Sequence, residues 1–201
     1  MCGCLKRLCA QEQIRELSKL LELGEQSFDA FSLDYYNAQA WPGEAVSPRE
    51  NMEFIYEVCL NYAQKFGKFY FKNLFLSGAP GLGKTFLSAC IARTVSENGH
   101  SVVYDTAGNV FAQFEARKFL RDSDDGREAR DETRRYLGCD LLILDEVLGL
   151  VEKDIITDDD LKALLECRGD TDVILTGITL NDEICGLADE VSKIETVKFK
   201  V

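Results

Sequence analysis

Gly78-Ala79-Pro80-Gly81-Leu82-Gly83-Lys84-Thr85 has the spacing G-x-x-x-x-G-K-T, in which glycines let backbone N–H groups converge on phosphate oxygens. Such a loop needs a strand before it and a helix after it. Asn73-Leu74-Phe75-Leu76-Ser77 is a short apolar run with polar ends, and Phe86 to Val95 carries apolar residues at helical spacing. The helix would add the positive end of its dipole at the point where the amides converge. Lys84 then reaches the outer phosphates and Thr85 offers its hydroxyl to Mg²⁺, so Gly78 through Phe86 reads as the cradle of a nucleoside triphosphate.

A second stretch supplies the complementary chemistry. Leu141-Leu142-Ile143-Leu144 reads as a strand buried on both faces, and it ends in Asp145-Glu146. In an open parallel α/β sheet, the carboxyl end of such a strand lies beside the phosphate loop. Asp145 would hold Mg²⁺ through its water shell, and Glu146 would orient or deprotonate an attacking water. An acidic pair after a strand is usually structural; paired with the upstream loop, it reads as functional.

Other reactive residue types carry less. Cys2, Cys4 and Cys9 form a C-x-C pair plus one, whereas zinc sites need four ligands in two pairs, and the sole histidine, His100, is remote in sequence. No N-terminal metal is expected. Of the eight cysteines, Cys59 and Cys90 sit in helical patterns and Cys139 borders a strand, so reduced core thiols are expected rather than disulfides. Phe28, Phe31, Tyr35, Tyr36 and Trp41 form an aromatic-rich segment that could sandwich an adenine ring, although packing against the domain is the favoured use.

These residues need a framework. Residues 11–23 read as an amphipathic helix through Ile14, Leu17, Leu20 and Leu21. Ser47-Pro48-Arg49-Glu50 is a capping box with proline at the first helical position, and its helix carries Met52, Ile55, Cys59, Tyr62 and Phe66 on one stripe as far as Gly67. Ser101–Asp105 reads as a strand, and 108–120 as a helix with Val110, Phe111, Phe114 and Phe119 facing inward. Arg121–Arg135 is almost all charge and reads as a solvated loop with a short helix and no chemistry. Thr157–Asp160 starts a helix, Val173–Thr176 is a strand, Leu180–Val191 a helix, and Thr196–Val201 a last strand. The expected fold is α/β: a P-loop NTPase with a five-stranded, mainly parallel sheet flanked by helices, joined by right-handed crossovers and preceded by a helical N-terminal segment. Residues 1–46 are expected to form that segment and 47–201 the NTPase domain.

Composition limits the surroundings. With 201 residues, 46% hydrophobic and 29% charged, the chain has material for a folded core. No stretch approaches the ~20 apolar residues that span a bilayer, and no secretory leader is evident, so a cytoplasmic location without membrane contact is expected. A net charge of −12 argues against a broad nucleic-acid footprint, leaves room for a weak single-stranded DNA contact in a local groove, and favours protein or small-molecule partners.

From Cys2 to about Glu146 the chain resembles bacterial replicative helicase loaders of the DnaC type and the related IstB transposition ATPases. The residues carrying this are Phe31-Ser32-Leu33-Asp34-Tyr35-Tyr36, Ser47 to Met52, Gly78 to Arg93, Ser101 to Thr106, and Phe114-Glu115-Ala116. From about Leu141 onward it instead resembles corrinoid adenosyltransferases of the CobO/BtuR type, through Leu141 to Val147, Leu164 to Arg168, Val173 to Gly177, Leu187 to Val191, and Val197-Lys198. Both families have a strand ending in Asp-Glu. The chain reads as a recombinant, natural or assembled, joined within that shared strand.

The departures matter too. Cys2 and Cys4 lack the partner pair of a metal knuckle; Ile178 and Phe199 stand where the transferases carry arginine and histidine, and the loop is not of the transferase type. The loader resemblance implies ATP and Mg as cofactors, Thr176 as a polar sensor, and a replicative helicase or transposition protein as partner. It also implies an arginine reaching a neighbour's phosphate, for which Arg168, read as a helix end facing solvent, is the sole candidate after Glu146. The expected function is a weak Mg-dependent ATPase. The alternatives are an ATP:cob(I)alamin adenosyltransferase, with a corrinoid as second substrate, and a nucleotide-binding scaffold without turnover.

Overall fold

A computed structural model describes residues 26–119, 124–178 and 182–194. The N-terminal cysteines, the 11–23 segment and Thr196–Val201 lie outside these residues.

The first helix, α1 (Pro48–Gln64), starts where the sequence places it. The Ser47 side chain accepts from Glu50 N–H and the Glu50 carboxylate accepts from Ser47 N–H, with proline in the first turn. Its stripe of Met52, Ile55, Cys59 and Tyr62 is buried. The chain then enters β1 (Asn73–Gly78), buried along its whole length, followed by the glycine loop and α2 (Lys84–Glu97). After β2 (Val102–Thr106) come α3 (Ala107–Phe119), α4 (Asp124–Gly138) and β3 (Leu141–Asp145). The remainder comprises α5 (Val147–Glu152), α6 (Asp158–Cys167), β4 (Asp172–Gly177), α7 (Asp182–Cys185) and β5 (Glu190–Ile194).

The five strands are all parallel and lie in the order β2-β3-β4-β1-β5. Alternation along the strands divides the core in two. Leu74, Leu76, Leu141, Ile143 and Ile174 pack with α1 and α2 on one face. Phe75, Leu142, Leu144, Val173 and Leu175 pack with α3 to α7 on the other. This order sets β4 between the strand that feeds the glycine loop and the strand that ends in the acidic pair. Sheet spacing therefore separates β1 from β3 by roughly 10 Å.

Several expectations are corrected. Within the charged stretch, the helix is not short: Asp124–Gly138 forms a 15-residue helix. Its buried Ala129, Thr133 and Tyr136 recur at helical spacing among the charges. Phe119 is 72% exposed rather than inward, because it ends α3 beyond the last turn that covers the sheet. Leu180–Val191 is not one helix. Helical structure stops at Cys185 before Gly186, and Asp189 accepts from the N–H groups of Lys72 (2.8 Å) and Asn73 (3.0 Å), which brings the chain to the sheet edge. Glu190–Ile194, within and just past that expected helix, is a strand; the strand expected over Thr196–Val201 lies outside the described residues.

Candidate functional site

At the carboxyl ends of β1, β3 and β4, the residues singled out in sequence converge. The loop Gly78–Gly83 leads from the end of β1 into α2, whose first turn brings Thr85 to Asp145 at the end of β3. Gly83 must be glycine: its φ is +92°, and a Cβ would lie 2.8 Å from the Tyr36 hydroxyl. Ala79 is half-buried, and Pro80 and Gly81 are exposed on the outer turn.

Lys84 Nζ donates to the carbonyls of Gly78 at 2.7 Å and Ala79 at 2.9 Å, folding across the loop. Partial burial lowers its pKa below the usual lysine value, while Asp145 and Glu146 pull in the opposite direction. Thr85 Oγ1 lies 3.4 Å from Asp145 Oδ2, so the two oxygens expected on a cation face each other across the β1–β3 gap. Thr176, fully buried near the end of β4, fills that gap. Its hydroxyl donates to Asp145 Oδ1 and accepts from the Glu146 N–H at 3.0 Å. One threonine thereby orients both acidic residues.

Glu146 is exposed and takes the left-handed conformation, φ 60°. A non-glycine residue in that region is uncommon, and at a strand end it turns the side chain off the line of the sheet. The site thus presents an ammonium, a hydroxyl, an oriented carboxylate and a second, freely exposed carboxylate. Among the described residues no cluster of three His, Cys, Asp or Glu side chains could hold a metal. The donors that do converge, Thr85 and Asp145, are hard oxygens of the kind Mg²⁺ prefers alongside phosphate and water.

Two tyrosines reach the site, Tyr36 from the aromatic-rich segment expected to pack on the domain and Tyr104 from β2, whose contact the sequence did not indicate. Tyr36 OH donates to the Leu82 carbonyl at 2.9 Å, and the Phe31 ring packs on Tyr56 at 5.4 Å and on Phe86 at 5.6 Å. Phe31 and Tyr36 of the aromatic-rich segment therefore brace the loop by packing, while Tyr35 is 90% exposed. Tyr104, on β2, donates to Asp145 Oδ2 at 3.0 Å. Burial first, and then the Asp145 carboxylate, push its phenol well above the usual range, so it remains a donor.

Arg168 is not a solvent-facing helix end. Its guanidinium donates to Asn73 Oδ1 and to the Thr171 carbonyl at 3.2 Å, at the start of β1. Five steps along β1 separate Asn73 from Gly78, where the loop begins, about 17 Å at ordinary strand rise. The thiols are as expected for core residues: Cys59, Cys90 and Cys139 are free and buried, and burial raises Cys90 and Cys139 to about 12.

Comparison with known proteins gives two likenesses. The family model of the ATP:corrinoid adenosyltransferase BtuR/CobO/CobP matches residues 87–201, beginning just after the glycine loop. The chromosomal replication initiator protein DnaA of Campylobacter jejuni subsp. jejuni serotype O:23/36 (strain 81-176) is 29% identical over 112 residues, 55% of this chain and 24% of that protein. The chain thus spans about a quarter of the length of that curated relative. Among solved structures, a replication initiator DnaA bound to AMPPCP and single-stranded DNA superposes with a TM-score of 0.61 at 20% identity, covering 87% of this chain and 51% of that one. The DnaC helicase loader superposes with a TM-score of 0.51 at 14% identity, covering 83% and 98%. The five-stranded P-loop fold is shared with these replication proteins.

Proposed function

The chain belongs to the ATP:corrinoid adenosyltransferase family BtuR/CobO/CobP through residues 87–201, and we propose that the phosphate loop ahead of that match makes it a slow, Mg-dependent ATPase of the helicase-loader type. The observation that carries this reading is that Thr85, at the head of the helix after the loop, faces Asp145 at 3.4 Å, while buried Thr176 holds both Asp145 and the Glu146 N–H, and Lys84 folds across the same loop. The amides of Gly78–Thr85 and the start of α2 would hold the phosphates of ATP, with Lys84 on the outer ones. Leu82 and Phe86 would support the loop from beneath, braced by Tyr36 and Phe31.

Thr85 and Asp145 would hold Mg²⁺, which when bound neutralises phosphate charge. Glu146 would accept a proton from a water aimed at the terminal phosphorus, giving ADP and inorganic phosphate. Its exposure, beside a carboxylate already committed to hydroxyl donors, leaves it the group free to accept that proton. Thr176 would report the state of the phosphate end to both acids. The partner proposed from the likeness to DnaC is a replicative helicase or a transposition protein, with at most weak contact to single-stranded DNA given the −12 charge. A stimulating arginine donated by a neighbour is worth ~10³ to 10⁵ in rate, and the Arg168 guanidinium is tied to Asn73 and Thr171, so turnover per molecule should stay basal and barely rise with protein concentration.

Family membership itself favours a second reading, transfer of the adenosyl group of ATP to a reduced corrinoid with release of triphosphate. The two reactions leave different products, so one assay separates them. The protein is incubated with Mg·ATP, with and without chemically reduced cob(I)alamin, while inorganic phosphate, triphosphate and adenosylcobalamin are followed. Slow phosphate release without adenosylcobalamin is expected. Enzyme-dependent adenosylcobalamin with triphosphate would overturn the ATPase reading in favour of the family's reaction.

A further inference from the structure

Asp145 can hold a cation only if its carboxylate is kept turned towards Thr85, and torsion about the last bond of an aspartate is intrinsically soft. Three hydroxyls surround it. Thr176 Oγ1 donates to Oδ1, Tyr104 OH donates to Oδ2 at 3.0 Å, and Thr85 Oγ1 stands 3.4 Å from the same Oδ2. Thr85 is exposed at the head of α2 and is the residue expected to turn to the cation, so its hold on Oδ2 is the weakest of the three. Tyr104 is 3% exposed, and its ring is locked in the core between the sheet and α2. Its register fixes it too: Tyr104 pairs with Ile143 and Thr106 with Asp145, which places the phenol diagonally below the carboxylate.

We propose that Tyr104 is a positioning residue for the cation site, anchoring Asp145 Oδ2 from β2 so that the carboxylate meets an incoming Mg·nucleotide already oriented. This rests on the reading of Gly78–Thr85 and Asp145 as a Mg·ATP site. Partners in this outer layer orient the groups that touch a metal, and losing one typically costs about 10- to 100-fold in metal affinity. Tyr104→Phe removes the donor and keeps the ring, leaving Oδ2 with only the longer contact from Thr85. The phenol meets the loop only at Thr85, the hydroxyl expected on the cation, so the loss should fall on the part of nucleotide affinity that Mg²⁺ supplies.

The test is calorimetric titration of ATP, with Mg²⁺ and with EDTA, into wild type, Tyr104→Phe, Asp145→Asn and the double variant, each checked for native melting. Wild type should gain affinity from Mg²⁺. Tyr104→Phe should retain the EDTA affinity and lose about 10-fold or more of the Mg²⁺ gain, and in the Asp145→Asn background it should add no further loss. Tyr104→Met, also without a hydroxyl, serves the same comparison if the phenylalanine variant does not fold. An unchanged Mg²⁺ gain, or an equal loss with and without Mg²⁺, overturns the positioning role. Absence of ATP binding in wild type is the separate outcome that overturns the underlying site and this role with it.

Discussion

Glu146 holds φ at 60°, and its N–H is tied to Thr176, the threonine that also holds Asp145. Left-handed backbone at a non-glycine residue costs roughly 1 to 3 kcal/mol, and the fold sustains it only where surrounding contacts over-determine it. In the proposed reaction this conformation aims the carboxylate away from the cation and towards water. Glu146→Gln keeps size and backbone but accepts no proton, so ATP turnover should fall by about 10² or more while ATP affinity is retained. Parallel measurement of phosphate release and of binding by calorimetry checks this, and an equal fall in both would place Glu146 in binding instead. At this scale, the loop and the acidic pair were legible because each is a contiguous run whose spacing is itself the chemistry. The aromatic segment's packing was legible, but not its partners, since nothing in an isolated sequence says that Tyr104 lies under Asp145 or that Tyr36 will reach the Leu82 carbonyl.

Elements bring these residues together through two close approaches. The inserted β4 puts Thr176 between loop and acids, and the next residue, Gly177, meets α5: a Cβ there would lie 2.3 Å from Leu148 Cβ. Leu148 is itself buried, so it has little room to give. Gly177→Ala should therefore destabilise the fold by about 1 to 3 kcal/mol, the ordinary range for overpacking, and loosen the Thr176 contacts. Urea titration followed by circular dichroism measures it; an unchanged midpoint would mean that α5 is not packed against β4 in this way. The strands and capped helices were legible from apolar runs and from Ser47-x-x-Glu50 and Thr157-x-x-Asp160, both of which form capping boxes. The 15-residue α4 was hidden because charge dominates its composition while its buried contacts are few and small. The helix expected over Leu180–Val191 failed because its apolar spacing also suits a short turn followed by an edge strand, and Asp189 decides between them through contacts with Lys72 and Asn73.

For the whole molecule, the central question is whether its loader-like and transferase-like parts make one unit. β3, the strand common to both resemblances, is paired in full register with β2 on one side and β4 on the other. Bonds between the parts recur around the sheet: Tyr62 OH donates to Asp172 at 3.0 Å, Asn51 to the Lys193 carbonyl at 3.1 Å, and Arg168 to Asn73. With both core layers drawing on residues from each part, thermal unfolding should be a single transition with equal calorimetric and van't Hoff enthalpies. Two resolved transitions would show that the parts fold separately. A sheet continuous through the junction is what allows a loop from one part and an acidic strand end to form one site.

That site is tested most directly by calorimetric titration of Mg·ATP into wild type and Lys84→Ala. Lys84 is half-buried over the loop and would supply the one ammonium reaching the outer phosphates, so removing it should weaken binding at least 10-fold with native melting preserved. Equal affinity in the two proteins, or no binding by wild type, would contradict the assignment of Gly78–Thr85 as a nucleotide-binding loop.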